Sequence, residues 1–233
     1  MQVTRIDYKA LQMYFSERST EGLEQNKCIK KSISRVLNYC IRLGYIKDNP
    51  TKLVIVKGVD RSKEKTVLSE KDAEVLLKDM QERKEYKYKV YSMAIKTALR
   101  TGLRVSEVMA LHKDDFDFEN YLIFVGHKLV FKGLTKDQFY RTSEMKSKKS
   151  KAIEPLPLVL KEELLVWFKV NENEKVFCDE DGYYINPTSL LNDVKKIAKK
   201  YGIYFNFHML RHTYATTLVK NKVDVKTAQE LMR

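Results

Sequence analysis

The run FHMLRHTYATTL, Phe207 to Leu218, read together with TGLRVSEVMAL, Thr101 to Leu111, decides the reading of this chain. On a helix His208, Arg211, His212 and Ala215 fall at i, i+3, i+4 and i+7, so one face carries the polar groups. Leu210, Tyr214 and Leu218, at i, i+4 and i+8, make a stripe expected to be buried. A guanidinium is permanently charged and its fork matches phosphate geometry, so two of them can clamp both free oxygens of one phosphodiester. Arg104 and Arg211 therefore point to chemistry on a nucleic-acid backbone.

Working outward, the charge agrees. The 233 residues hold 44 Lys plus Arg against 31 Asp plus Glu, a net charge of +13. Such a balance favours a polyanionic partner without saying anything of sequence preference. Residues 1–63 carry 13 basic and 6 acidic side chains and residues 64–233 carry 31 and 25, so the shorter segment is the denser in positive charge. No stretch approaches the roughly 20 apolar residues of a membrane span. The first 25 residues are charged throughout, unlike a signal peptide, so a cytoplasmic protein with no membrane partner is expected. Cys28, Cys40 and Cys178 lack metal or redox-motif spacing and read as reduced thiols.

Helices should dominate, since Gly and Pro number only 8 and 4. An early helix is expected over Ile6 to Ser16. From Lys27 to Leu43 the residues Ile29, Ile33, Val36, Leu37, Cys40 and Ile41 form an apolar stripe at helical spacing. Lys27, Lys30, Lys31, Ser34, Arg35, Asn38 and Arg42 occupy its solvent side, either as a nucleic-acid contact or as a merely solvated face. Gly44 suits a left-handed helix end and Asn49-Pro50 marks the exit turn. KGVDRSKEK, residues 57–65, is charged and poor in core residues, an interdomain linker. Beyond it Ser69 caps a helix to about Arg83, and another runs from about Lys87 to Arg100 and stops at Thr101-Gly102. Arg104 then opens a third, one turn before Glu107, a carboxylate able to brace it. Tyr121 to Val125 and Phe139 to Pro157 turn to β-like composition around a basic tip, KSKKSK, Lys146 to Lys151, which reads as a hairpin.

GLRVSEVMAL and HMLRHTYATTLV, in this order and separation, resemble the two arginine boxes of the tyrosine recombinases, the phage-integrase family. GYIKDNP, Gly44 to Pro50, is similar to the end of that family's small DNA-binding domain. The resemblance implies a mainly α fold with a small antiparallel sheet: a helical core-binding domain with its linker at 1–63 and an α+β catalytic domain at 64–233. It also implies double-stranded DNA as partner, no metal or cofactor, and DNA strand transfer through a 3′-phosphotyrosine intermediate. In that reading Arg104 and Arg211 clamp the phosphate, His208 bonds it or assists proton transfer, and Lys146 protonates the leaving oxygen, with Lys148 in reserve. DNA contacts are expected from Lys27, Lys30, Lys31, Ser34, Arg35, Lys148 and Lys149. AQELMR, Ala228 to Arg233, looks like the opening of the family's next box, so the catalytic domain is expected to be incomplete here. This chain would then lack the nucleophile, bind DNA without cleaving it and be monomeric in solution, while its full-length parent works as a tetramer on DNA. A phage or mobile-element integrase is favoured by the long, irregular stretch Gly126 to Ser150. A Xer-type resolvase, a non-catalytic regulator on the same fold and a type IB topoisomerase are the alternatives.

Overall fold

The computed structural model describes residues 5–60, 67–144 and 152–232. The chain divides into two compact units, Met1–Glu64 and Lys65–Arg233.

In the first unit Asp7 caps helix α1 (Tyr8–Glu17), its carboxylate accepting from the Ala10 N–H at 2.7 Å. Helix α2 (Leu23–Arg42) starts one turn earlier than its apolar stripe suggests, because Glu24 and Gln25 follow a Gly22 cap. Leu37 and Cys40 of the stripe are buried and Ile29 and Ile33 half-buried, whereas Val36 is 60% exposed, just outside the arc that faces α1. Gly44, at φ +75°, ends the helix as expected. The Tyr45 N–H donates to Cys40 O and the Gly44 N–H to Ile41 O, the paired bonds of a Schellman motif.

The core here is small: Leu11, Phe15, Leu37 and Val54, with Ile6, Ile29, Ile33, Ile46 and Val56 against it. Each fully buried side chain contributes about 1.5–3 kcal/mol, so four of them leave the unit dependent on polar fastenings. Two buried asparagines supply these. Asn26 donates to the carbonyls of Arg18 and Lys57. Asn49 ties the exit turn to α2 through Ser34 and Asn38. The expected linker is shorter than its composition suggests. Val59 exchanges backbone bonds with Glu21 and Leu23, and Gly58 passes so close that a Cβ would lie 2.6 Å from Leu23 Cα.

In the second unit Ser69 caps α3 (Glu70–Glu82) and accepts from the Asp72 N–H. Helix α4 (Tyr86–Thr101) is almost wholly buried and ends at Gly102 with φ +65°. A short α5 (Val105–Val108) follows. Strands β1 (Phe116–Asp117), β2 (Leu122–Val125) and β5 (Ala152–Pro155) form an antiparallel sheet ordered β1-β2-β5, with Ile123 opposite Glu154. Between β2 and β5 lies a separate antiparallel pair, β3 (Lys128–Val130) and β4 (Tyr140–Thr142).

The expected hairpin is therefore two nested ladders. Tyr140, Arg141 and Thr142 pair with β3 inside the stretch read as irregular, and Leu129 and Phe139 beside them are buried in the core. Helices α6 (Leu158–Val170), α7 (Pro187–Lys200), α8 (Phe207–Lys220) and α9 (Val225–Met232) complete the unit. Helix α8 lies on α4, with Phe207, Met209 and Leu210 buried in the core. None of the described helices is long and apolar enough to cross a membrane.

Candidate phosphate-binding site

The turn between α4 and α5 is where the two arginine motifs meet. Gly102 takes the left-handed conformation that only glycine adopts freely, and a Cβ there would meet Tyr214 Cδ1 of α8 at 2.4 Å. With the backbones this close, Arg211 Nη1 donates to the Gly102 carbonyl at 2.7 Å. Arg104 lies two residues further along. Motifs separated by 107 positions thus converge through one main-chain oxygen.

The two guanidiniums differ in setting. Arg104 is 44% exposed at its side chain, and Nη1 donates to Glu107 Oε1 at 2.8 Å. The other Glu107 oxygen accepts the Arg104 N–H at 2.9 Å, so the 3%-exposed carboxylate holds Arg104 by both ends. That backbone N–H is thereby taken. Arg211 was placed by its helical spacing on the polar face, yet it is buried. A buried cation is costly unless hydrogen-bonded, and the Gly102 carbonyl meets part of that need.

His208 stands exposed on the first turn of α8, its backbone N–H accepted by the Asn206 cap at 3.2 Å. Its ring meets that of His212 edge to face, centroids 4.6 Å apart. Tyr214, the one tyrosine after Arg211 in this sequence, is buried against Gly102. Lys146, Lys148 and Lys149 lie outside the described residues.

Of the cations read on α2, Lys31 and Arg35 are exposed. Lys27 is exposed and paired with Glu24 at 2.6 Å. Lys30 donates to the Val54 carbonyl at 2.7 Å, and half-buried Ser34 accepts from Asn49, so both fasten the loop as well as edging that face.

A polar cluster that the sequence did not announce anchors β4. Arg141 Nη2 donates to both oxygens of Asp115 at 2.6 and 2.8 Å and lies 2.5 Å from His127 Nδ1. Its buried Nε has no partner among the described residues. His112 Nε2 is 2.7 Å from the Tyr184 hydroxyl. Burial holds the His112 imidazole below its ordinary pKa, and the charge of Arg141 pushes the same way. Contacts distant in sequence bring Arg141, His127 and Tyr184 to the His112–Asp115 turn, so no local pattern signals the cluster.

A helical unit followed by an α+β unit whose two arginine motifs meet at a helix end defines a class, and comparison with known proteins identifies it. Residues 66–233 match the phage integrase family. The chain belongs to that family. It is 29% identical to a "Tyrosine recombinase XerC-like" of Caldanaerobacter subterraneus subsp. tengcongensis over 100% of this chain and 65% of the relative. It is also 29% identical to the "Transposase from transposon Tn916" of Enterococcus faecalis, over 87% of this chain and 53% of that protein. The fold matches the Tn1549 transposon integrase in complex with transposon right-end DNA, with a TM-score of 0.83 and 22% identity, covering 100% of this chain and 78% of that one. The chain thus spans about two thirds or less of the two curated relatives.

Proposed function

We propose that this chain is part of a site-specific recombinase that integrates or excises a mobile element. The observation that carries the proposal is the bond from Arg211 to the Gly102 carbonyl, which puts a buried guanidinium at the turn bearing Arg104. In this reading residues 1–63 grip double-stranded DNA, with Lys27, Lys30, Lys31, Ser34 and Arg35 along it, and residues 64–233 act on the phosphate. The protein works in the cytoplasm, as a tetramer on paired sites and as a monomer when this chain is free of DNA.

The chemistry follows from charge. A tyrosine oxygen attacks phosphorus, the bond to the 5′ oxygen breaks, and a 3′-phosphotyrosine forms. Negative charge grows on the two non-bridging oxygens in the five-coordinate transition state. Arg104 and Arg211 stabilise it there. Glu107 keeps the Arg104 fork in place, and His208 hydrogen-bonds the same phosphate or takes the proton that the attacking tyrosine hydroxyl gives up. The departing 5′ oxygen takes a proton from Lys146, with Lys148 as the alternative donor. Tyr214 is buried against Gly102, a packing position that sets it apart from the attacking oxygen in this reading. Lys148 and Lys149 add contacts to the DNA backbone.

The test is a suicide DNA substrate carrying the element ends, offered to this chain and to one extended at its C-terminus through the next tyrosine of its parent. A covalent complex trapped by the extended chain alone, and lost in Arg211→Ala, supports the reading. Binding without any covalent complex in either would favour a non-catalytic regulator and remove the catalytic roles. A chromosome-dimer resolvase is the second reading, favoured by the XerC-like relative that matches along the whole chain. Recombination of two copies of one fixed chromosomal site, with no reaction at element ends, would select it.

A further inference from the structure

We infer that Asn38 reads a base edge in the DNA target, and that Asn49 restricts it to the role of hydrogen-bond donor. The inference rests on the proposed DNA contact of α2. Lys31, Arg35, Asn38 and Arg42 follow at i, i+4, i+7 and i+11 and all four are exposed, so they share one face of the helix. Three of them are cations suited to phosphates. Asn38 is the short, neutral one among them, the kind of side chain that discriminates bases once cations have set the register.

An amide side chain has an accepting end and a donating end, and its neighbours decide which way it faces. For Asn49 both ends are fixed by the main chain. The Thr51 N–H can only donate and lies 3.0 Å from Asn49 Oδ1, which also accepts from the Thr51 hydroxyl. The Ser34 carbonyl can only accept and lies 3.2 Å from Asn49 Nδ2. Asn49 is 3% exposed, so neither end exchanges freely with water. Its Nδ2 therefore faces α2 as a donor, and the nearest acceptor is Asn38 Oδ1 at 2.7 Å. Turning Asn38 over would oppose two donors at that distance. Asn38 consequently keeps its oxygen toward Asn49 and offers Nδ2 to whatever lies against the helix.

A donor alone matches acceptors on the major-groove edge. Guanine presents two side by side, N7 and O6. The two-point grip of asparagine on adenine needs an outward oxygen to take the N6 hydrogen, and that oxygen is occupied. The structure thus assigns Asn38 a preference for guanine over adenine at one position of the site.

Site selection from random-sequence duplexes tests this with four proteins: the chain itself, Asn38→Asp, Asn38→Ala and Asn49→Asp. The parent chain should enrich guanine at one position by about tenfold over the other bases. Asn38→Asp, which can only accept, should move enrichment there to cytosine and adenine through their N4 and N6 amines, and Asn38→Ala should lose preference at that position alone. Asn49→Asp still accepts from Thr51 but cannot donate to Asn38. Asn38 should then turn its oxygen outward, moving selection toward adenine and cytosine with residue 38 unchanged. Should Asn49→Asp fail to fold, the two variants at exposed Asn38 decide. The same base profile in the parent chain and both Asn38 variants would overturn the inference while leaving DNA binding intact. If the parent chain binds no duplex, the reading beneath it falls instead, a separate and visible result.

Discussion

At the scale of single residues the site depends on one glycine and one buried arginine. Gly102 has φ +65° and Tyr214 lies where its Cβ would be. Gly102→Ala must strain the turn or displace the ring, and we expect it to destabilise the second unit by about 1–3 kcal/mol, read as a lower urea midpoint at unchanged slope. Arg211→Lys tests the guanidinium itself. A lysine is a compact point charge and cannot donate to Gly102 O while forking a phosphate. The extended chain should trap about 100-fold less covalent complex, with an unfolding midpoint close to the parent's. A midpoint that falls as far as activity would give Arg211 a structural role only.

At the scale of elements the sequence was informative wherever a pattern was local. The stripe on α2, the Ser69 cap of α3 and the stop at Gly102 are each written within one or two turns of chain, and all three stand in the structure except that Val36 leaves the stripe for solvent. The β3-β4 ladder escaped because strands of three residues are too short to show alternation. Arg141 and Asp115, which hold it, are 26 positions apart. Of the site, the arginines were legible as motifs, but the burial of Arg211 was not, because helical spacing records which residues share a face and not what covers it. The same cluster gives a pH prediction. The folded-state pKa of His112 lies below its ordinary value of 6.5, so between the two values the unfolded chain binds the extra proton. This contribution to stability is complete above pH 6.5 and is lost as pH falls through the lowered folded value. Urea midpoints of the second unit should drop below about pH 6.5, and His112→Gln should flatten that decline. An undiminished decline in the variant would assign it to another group.

At the scale of the whole molecule, the basic charge is densest along the first 63 residues, where exposed Lys31 and Arg35 lie on α2. If both neutralise phosphates, replacing the pair by alanine should reduce the slope of log affinity against log salt by about 2, measured by titrating one duplex at several salt concentrations. An unchanged slope would place the DNA on another face. The division of labour between the units gives the Gly102 carbonyl a wider meaning. A peptide oxygen is present whatever side chain a codon specifies, so the alignment of the two arginines is insulated from most mutational exchange around it. Under the proposed function, base choice is instead held by replaceable side chains on a different unit. A lineage of such proteins can therefore wander among targets by changing α2 while its chemistry stands still.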